Sequence, residues 1–288
     1  MNTAVITGGA GGMGLATARL LGRDHRIVIA DLGQDRIDAA VDQLTALGIT
    51  ASGIECDVTD EQSVLDLLRN AAPDGHRVRA VVHTAGVSPQ MGQPAKIVEI
   101  NSIGTVNVAR CFHPLAQDGD ALVNVASFAG HALPAILVPS RSFPWAETDP
   151  ARFVKAIVRR AGIVGRRRHS GFAYAISKAF VIWYSARLAA PFGARGARVV
   201  SVSPGSFDTA MGRLEADHGA ADLLKVAALD RFGSADEIAA VLAFCAGRAP
   251  GYLTGTDILV DGGTRAGQRT GRRHSILSRP KHGLRQST

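Results

Sequence analysis

Short, uninterrupted apolar runs recur along this chain and alternate with segments of helical period, and that alternation limits the fold more than any other feature. Residues 3–7 (TAVIT), 26–31 (RIVIAD), 51–57, 78–84 (VRAVVHT), 120–126 (DALVNVA), 197–203 (ARVVSVS) and 257–260 read as strands. Between them, 12–23, 34–47, 61–71, 96–113, 172–190 and 235–246 read as helices. A strand with one wet face alternates apolar with polar residues. Ala80-Val81-Val82 and Val199-Val200 do not, so both faces of these strands need cover. The pattern predicts an α/β domain, a single doubly wound parallel sheet with helices on both faces. At 288 residues, 46% of them hydrophobic, the chain can fill one such core, and no repeat or second domain is evident.

Two segments depart from the rhythm. Residues 128–171 are too many for a structureless connection in a compact domain. Within them, Thr148 or Asp149 offers a cap, Pro150 suits a first turn, Phe153, Ile157 and Ala161 form one stripe, and Gly162 ends the run. An inserted amphipathic helix is predicted. At the far end, Arg265, Arg269, Arg272, Arg273, Arg279, Lys281 and Arg285 stand without any Asp or Glu and carry the whole net charge of +7. Residues 1–264 are therefore read as a neutral globular body and 265–288 as a basic, flexible tail, a distribution that argues against nucleic acid as the main partner.

Cys56, Cys111 and Cys245 lie far apart, and His25, His83 and His131 share no ligand spacing. Buried or semi-buried thiols in a reducing compartment, and no metal site, are expected. No apolar run nears the ~18 residues of a membrane span, and Met1-Asn2-Thr3 leads into the first strand without a charged leader. A cytoplasmic protein with no membrane partner is expected.

Thr7-Gly-Gly-Ala-Gly-Gly-Met-Gly14 leaves the first strand and opens the first helix. Glycines let the backbone turn sharply and approach a pyrophosphate, whose charge is met by free N–H groups at the helix start. Two registers fit, Gly9-x-Gly11-x-x-Gly14 and Thr7-Gly8-x-x-x-Gly12-x-Gly14, and either makes the sheet a Rossmann-type one. Asp31 ends the second strand, where a carboxylate can accept both adenosine ribose hydroxyls and repel a 2′-phosphate. The turn holds no Lys or Arg, and Arg36 is the only nearby cation downstream of Asp31. NAD is expected over NADP. Farther along, "GFAYAISKAF" sets Tyr174 and Lys178 one helical turn apart. An ammonium there would favour the phenolate and lower a pKa that is ordinarily about 10.

In their order and spacing these motifs resemble the short-chain dehydrogenase/reductase family over residues 3–263. The resemblance implies that Gly8, Gly12, Met13 and Gly14 form the cofactor turn, that Asp57 and Val58 contact adenine, and that Ala85 and Gly86 follow Thr84 where the family usually carries Asn. That change bears on a structural hydrogen bond to the strand core. Asn101 in "EINSIGTVNV", Ser127 in "VNVASFAG", Tyr174 and Lys178 match the catalytic tetrad, and Pro204, Gly205 and Thr209 match the loop on the nicotinamide side. Implied with them is NAD-dependent interconversion of a secondary alcohol and a ketone. Tyr174 would be the acid/base, Ser127 would hold the substrate oxygen, Lys178 would serve phenolate and nicotinamide ribose, and Asn101 would hold a water linking Lys178 to solvent. A homo-oligomer, dimer or tetramer, is also implied. The short run from Gly86 to Asn101 and the long one from Ser127 to Tyr174 are similar to the bacterial 3α-hydroxysteroid dehydrogenase/carbonyl reductase branch, which implies an alicyclic or steroid-like substrate. Residues 87–95, 128–171 and 205–230 are expected to shape the substrate end, with the insertion at its entrance. The alternative is a non-catalytic NAD-sensing protein of the same fold, which would be expected to have lost Tyr174 or Lys178; this chain has both.

Overall fold

Strands without a polar face can exist only inside a three-layer structure, and the computed structural model, which describes residues 2–73, 76–216 and 220–270, places them there. Strands β1 (Thr3–Thr7), β2 (Arg26–Asp31), β3 (Ala51–Glu55), β4 (Val78–His83), β5 (Ala121–Val125) and β6 (Arg198–Pro204) follow in sequence. A separate two-residue ladder pairs β7 (Phe207–Asp208) with β8 (Gly233–Ser234), and β9 (Asp257–Val260) completes the main sheet. Its order is β3-β2-β1-β4-β5-β6-β9, parallel throughout. The chain runs outward from β1 to β3, then returns to β4 on the other side of β1. A crevice opens where the direction reverses, at the carboxyl ends of β1 and β4.

The helices are α1 (Gly12–Leu21), α2 (Gln34–Ala46), α3 (Glu61–Asn70), α4 (Pro94–Val98) and α5 (Gly104–Phe112), then the insertion's α6 (Ala129–Ala132), α7 (Trp145–Thr148) and α8 (Pro150–Ala161). After these come α9 (His169–Gly193), α10 (Ala210–Ala216), α11 (Ala235–Ala246) and α12 (Thr264–Thr270). Apolar residues of α1, α2 and α11 join one core on one face of the sheet, and those of α3, α5, α8 and α9 join the other. The continuous helix expected over 96–113 is instead α4 and α5 joined by a π-helical turn, Glu99–Ile103. Its altered pitch is not visible in an apolar pattern that stays buried through the turn.

Helix α12 runs across the boundary expected after residue 264. Asp261 accepts hydrogen bonds from the backbone N–H groups of Gly263 at 2.8 Å and Arg265 at 2.7 Å, and the Arg265 guanidinium donates to the His131 carbonyl at 2.5 Å. An acidic cap thus starts a helix where composition alone suggested a tail. The expectation of flexibility for 271–288 falls outside the described residues.

The predicted insertion helix forms as α8, with Asp149 accepting from the Arg152 N–H at 2.9 Å and Pro150 in the first turn. Phe153, Ile157 and Ala161 are fully buried, one turn apart on the face turned to the core. Phe153 and Phe143 pack on Phe180 of α9, with ring centroids 5.0 and 5.3 Å apart. Ahead of α8, the Glu147 carbonyl accepts from Arg110 of α5 at 2.8 Å, while its carboxylate accepts from the Tyr184 hydroxyl of α9 at 3.1 Å. The insertion is therefore part of the main core, strapped across α5 and α9. Phe153→Ala should lower the stability of the whole domain by about 3–5 kcal/mol, read as a shift of a single urea midpoint. A separate early transition confined to the insertion would contradict this packing.

Candidate active site

The crevice at the reversal point holds a cavity of about 580 Å³, within the usual range for a small-molecule site. Its floor at one end is the glycine turn. Gly8 has φ 66°, and an added Cβ would lie 2.6 Å from the Ala85 nitrogen, so the turn can press against the segment after β4 only as glycine. Gly12 has φ 52°, and a Cβ there would meet nothing of the protein closer than Thr209 at 3.8 Å, because it would enter the cavity. Gly12, Met13 and Gly14 open α1, and the N–H groups of a first helical turn have no partner within their own helix. Such a floor fits an anionic pyrophosphate.

Asp31 lines the same end, with its carboxylate drawn toward the turn. Its Oδ2 accepts from the Ala10 N–H at 3.2 Å, its Oδ1 accepts from the Leu32 N–H at 2.9 Å, and the Arg36 guanidinium stands 3.4 Å away. Arg36 also lies 3.7 Å from a Cβ built on Gly11, so the cation merely near Asp31 in sequence reaches the turn itself. Asp57 and Val58 line the cavity too. The Asp57 carboxylate is engaged locally, accepting from Thr59 N–H and hydroxyl, both at 2.8 Å, while Val58 is held from behind by Asn107, whose amide donates to its carbonyl at 2.9 Å. Asn107, one and a half turns beyond Asn101, was not singled out from the sequence.

The cavity is also lined by Ala85, Gly86, Ser127, Tyr174, Lys178, Pro204, Gly205 and Thr209. Ser127 follows β5, accepts from the Ala129 N–H at 3.1 Å, and lies near enough to the Tyr174 phenol of α9 to favour its ionised form. Lys178 donates to the Val125 carbonyl at 2.9 Å, with its nitrogen 6.0 Å from the centre of the Tyr174 ring. Asn101 lies on the π-helical turn outside the cavity lining. Its Oδ1 accepts from the Val87 N–H at 2.9 Å and its Nδ2 donates to the Val87 carbonyl at 3.1 Å and to Ser177 at 3.2 Å. The amide clamps the loop after β4 to α9. None of residues 128–171, expected at the entrance, lines the cavity.

The electrostatics around Tyr174 and Lys178 differ from the sequence expectation. Tyr174 is pushed above the ordinary phenol range, first by burial and then by the charge of Glu215, with Ser127 acting in the opposite sense. The expected lowering by Lys178 is absent from these influences. Burial lowers Lys178 to about 8, and Glu215 works against that lowering. Glu215 lies on α10, inside the range read as substrate loop, and lines the same cavity as Tyr174 and Lys178; no motif or spacing singles it out.

A family model described as short chain dehydrogenase matches residues 2–139, and a second, described as enoyl-(acyl carrier protein) reductase, matches residues 155–265. The interval between them falls inside the insertion. The cis-4-hydroxycyclohexanecarboxylate dehydrogenase of Sinomonas cyclohexanicum is 30% identical over 90% of this chain and 95% of its own length. The chain belongs to the short-chain dehydrogenase/reductase family. The short-chain dehydrogenase/reductase bsc3 of Alternaria brassicicola is 29% identical over 92% of this chain and 96% of its own. Among solved structures, gox2181 superposes with a TM-score of 0.72 at 26% identity, covering 92% of this chain and 96% of that one.

Beneath the reacting end, His83 closes β4. Its Nδ1 is 2.7 Å from the Thr7 hydroxyl, its Nε2 is buried without a partner among the described residues, and burial, with the charge of Lys178 added, lowers its pKa to about 3. An unfolded chain would take up that proton near its ordinary value of ~6.5 while the fold does not, so acidification between these two values favours unfolding. The loss is at most about 1.4 kcal/mol per pH unit. The drop in melting temperature between pH 6.5 and 5 should therefore be smaller in His83→Asn than in the wild type; parallel curves would show that His83 is protonated in the fold.

Proposed function

We propose that the chain is an NAD-dependent oxidoreductase interconverting a secondary alcohol and a ketone, with an alicyclic substrate. One observation carries the reading: a single cavity runs from the glycine turn and Asp31 to Ser127, Tyr174 and Lys178. A nicotinamide bound there supplies the hydride acceptor in oxidation and the hydride donor in reduction. Ser127 holds the substrate oxygen by a hydrogen bond. Tyr174 takes the hydroxyl proton in oxidation and returns it to the carbonyl oxygen in reduction. Its raised pKa keeps the phenol protonated near neutrality, the form that donates to a ketone. Lys178, still largely an ammonium near neutrality, supplies the positive charge that a phenolate needs. Asn101 is a positioning residue, acting through Val87 and Ser177.

An alicyclic substrate agrees with the mostly apolar wall formed by Met91, Phe207, Met211 and Leu214 and with the activity named for the Sinomonas relative. The partner is a small molecule, and a homo-oligomer is the expected state; the strapping of α5 and α9 by α7 and α8 favours a dimer over a tetramer.

Tyr174→Phe keeps the ring and removes the proton-carrying oxygen. It should lower kcat by about 10²–10⁴ while calorimetry still shows NAD binding; retention of more than about a tenth of the wild-type kcat would remove Tyr174 from the chemistry. For the cofactor, the wild type should show the larger kcat/KM with NAD, and Asp31→Ala should shift the ratio toward NADP by freeing Arg36 for a 2′-phosphate. Equal use of both cofactors by the wild type would overturn the NAD assignment.

A further inference from the structure

Three carboxylates line the cavity among the described residues, and two of them are already engaged by the protein. Asp31 is tied to Ala10, Leu32 and Arg36, and Asp57 to Thr59. Glu215 is different. It stands half-buried on α10, in a cavity also lined by Met211, Leu214 and Phe207. Desolvation raises its pKa and the Lys178 charge lowers it, and among the described residues no hydrogen bond reaches its carboxylate. A half-buried carboxylate that the described residues leave without a donor can take one from a ligand in the cavity. Lys178 acts on Glu215 through its charge alone: among the described residues no ion pair or hydrogen bond joins the two, and its ammonium donates to the Val125 carbonyl.

We infer that Glu215 selects the substrate, accepting a hydrogen bond from a donor group, a hydroxyl or an ammonium, that the alcohol carries away from its reacting carbon. This rests on the alcohol/ketone reading of the site and narrows it. The fitting substrate is a polar-substituted alicyclic alcohol, such as a diol or an amino alcohol. An alcohol bearing a carboxylate meets Glu215 as a like charge in a poorly solvated wall and is rejected. A wholly apolar ring system leaves the carboxylate unpaired and gains less from the cavity than its area suggests.

The test is a charge series on one frame: cyclohexanol, 4-aminocyclohexanol and 4-hydroxycyclohexanecarboxylate, each assayed for NAD reduction with wild type, Glu215→Gln and Glu215→Lys. In the wild type, kcat/KM for the amino alcohol should exceed that for the carboxylate by roughly tenfold or more, the scale of one charge-assisted hydrogen bond. Glu215→Gln should bring the ratio toward one, and Glu215→Lys should invert it. A ratio unchanged by either variant overturns the inference.

If cyclohexanol and both derivatives are left unoxidised by the wild type, the alicyclic-alcohol reading fails by itself. Glu215 is then judged from binding, with cyclohexylamine and cyclohexanecarboxylate titrated calorimetrically into the NAD-saturated protein. Preference for the amine that disappears in Glu215→Gln supports the inference. Equal affinities, or no measurable affinity for the amine, overturn it.

Discussion

The site depends on one close approach, between the glycine turn after β1 and the segment after β4. Thr84 donates its hydroxyl to the Thr7 carbonyl at 2.7 Å, and a Cβ on Gly14 would fall 2.7 Å from that hydroxyl oxygen. The contact pins the start of α1 against the crevice and leads the chain into Ala85, Gly86 and Val87. Asn101 then clamps Val87 from the π-helical turn, and through Ser177 reaches α9, where Tyr174 and Lys178 sit. Threonine at 84, which the family resemblance marked as a departure bearing on this bond, spans the gap because β1 and β4 remain paired up to Thr7 and His83.

What could be read from the sequence was what local periodicity and local chemistry determine. Strands buried on both faces announce themselves as apolar runs, and the glycine turn announces itself because only glycine survives its approach to Ala85. Tyr174 and Lys178 were legible because four residues in a helix is one turn whatever surrounds it. The π-helical turn carrying Asn101 was not, since its buried residues look the same in either helical pitch. Nor were Arg36 at the turn, Asn107 behind Val58, or Glu215 in the cavity lining. Each depends on how an element is docked, and docking is set by distant parts of the chain.

The insertion shows the same division. Its helix could be foreseen from Asp149, Pro150 and the stripe of Phe153, Ile157 and Ala161, but its destination could not. Both its ends lie beside Ser127 and Tyr174, which made the cavity entrance the natural expectation. The aromatic side chains settle it elsewhere. Phe143 and Phe153 meet Phe180 of α9, and Glu147 ties the same region to α5. Large rings gain more from a dry partner surface than from a wet rim, so the segment closes over helices.

Charge at the reacting end is balanced between opposed demands. Burial disfavours both ionised forms, pushing the phenol up and the ammonium down. Glu215 then acts on both groups in the same direction, holding the proton on Tyr174 and on Lys178. A carboxylate here favours the proton-loaded site that ketone reduction requires, and it would hinder the phenolate that alcohol oxidation requires. A donor group on the substrate that engages Glu215 would draw its charge away from Tyr174. Under the proposed reaction, recognition of the substrate and readiness of the base are then one electrostatic event, with the fitting alcohol relieving the charge that otherwise keeps its proton acceptor protonated.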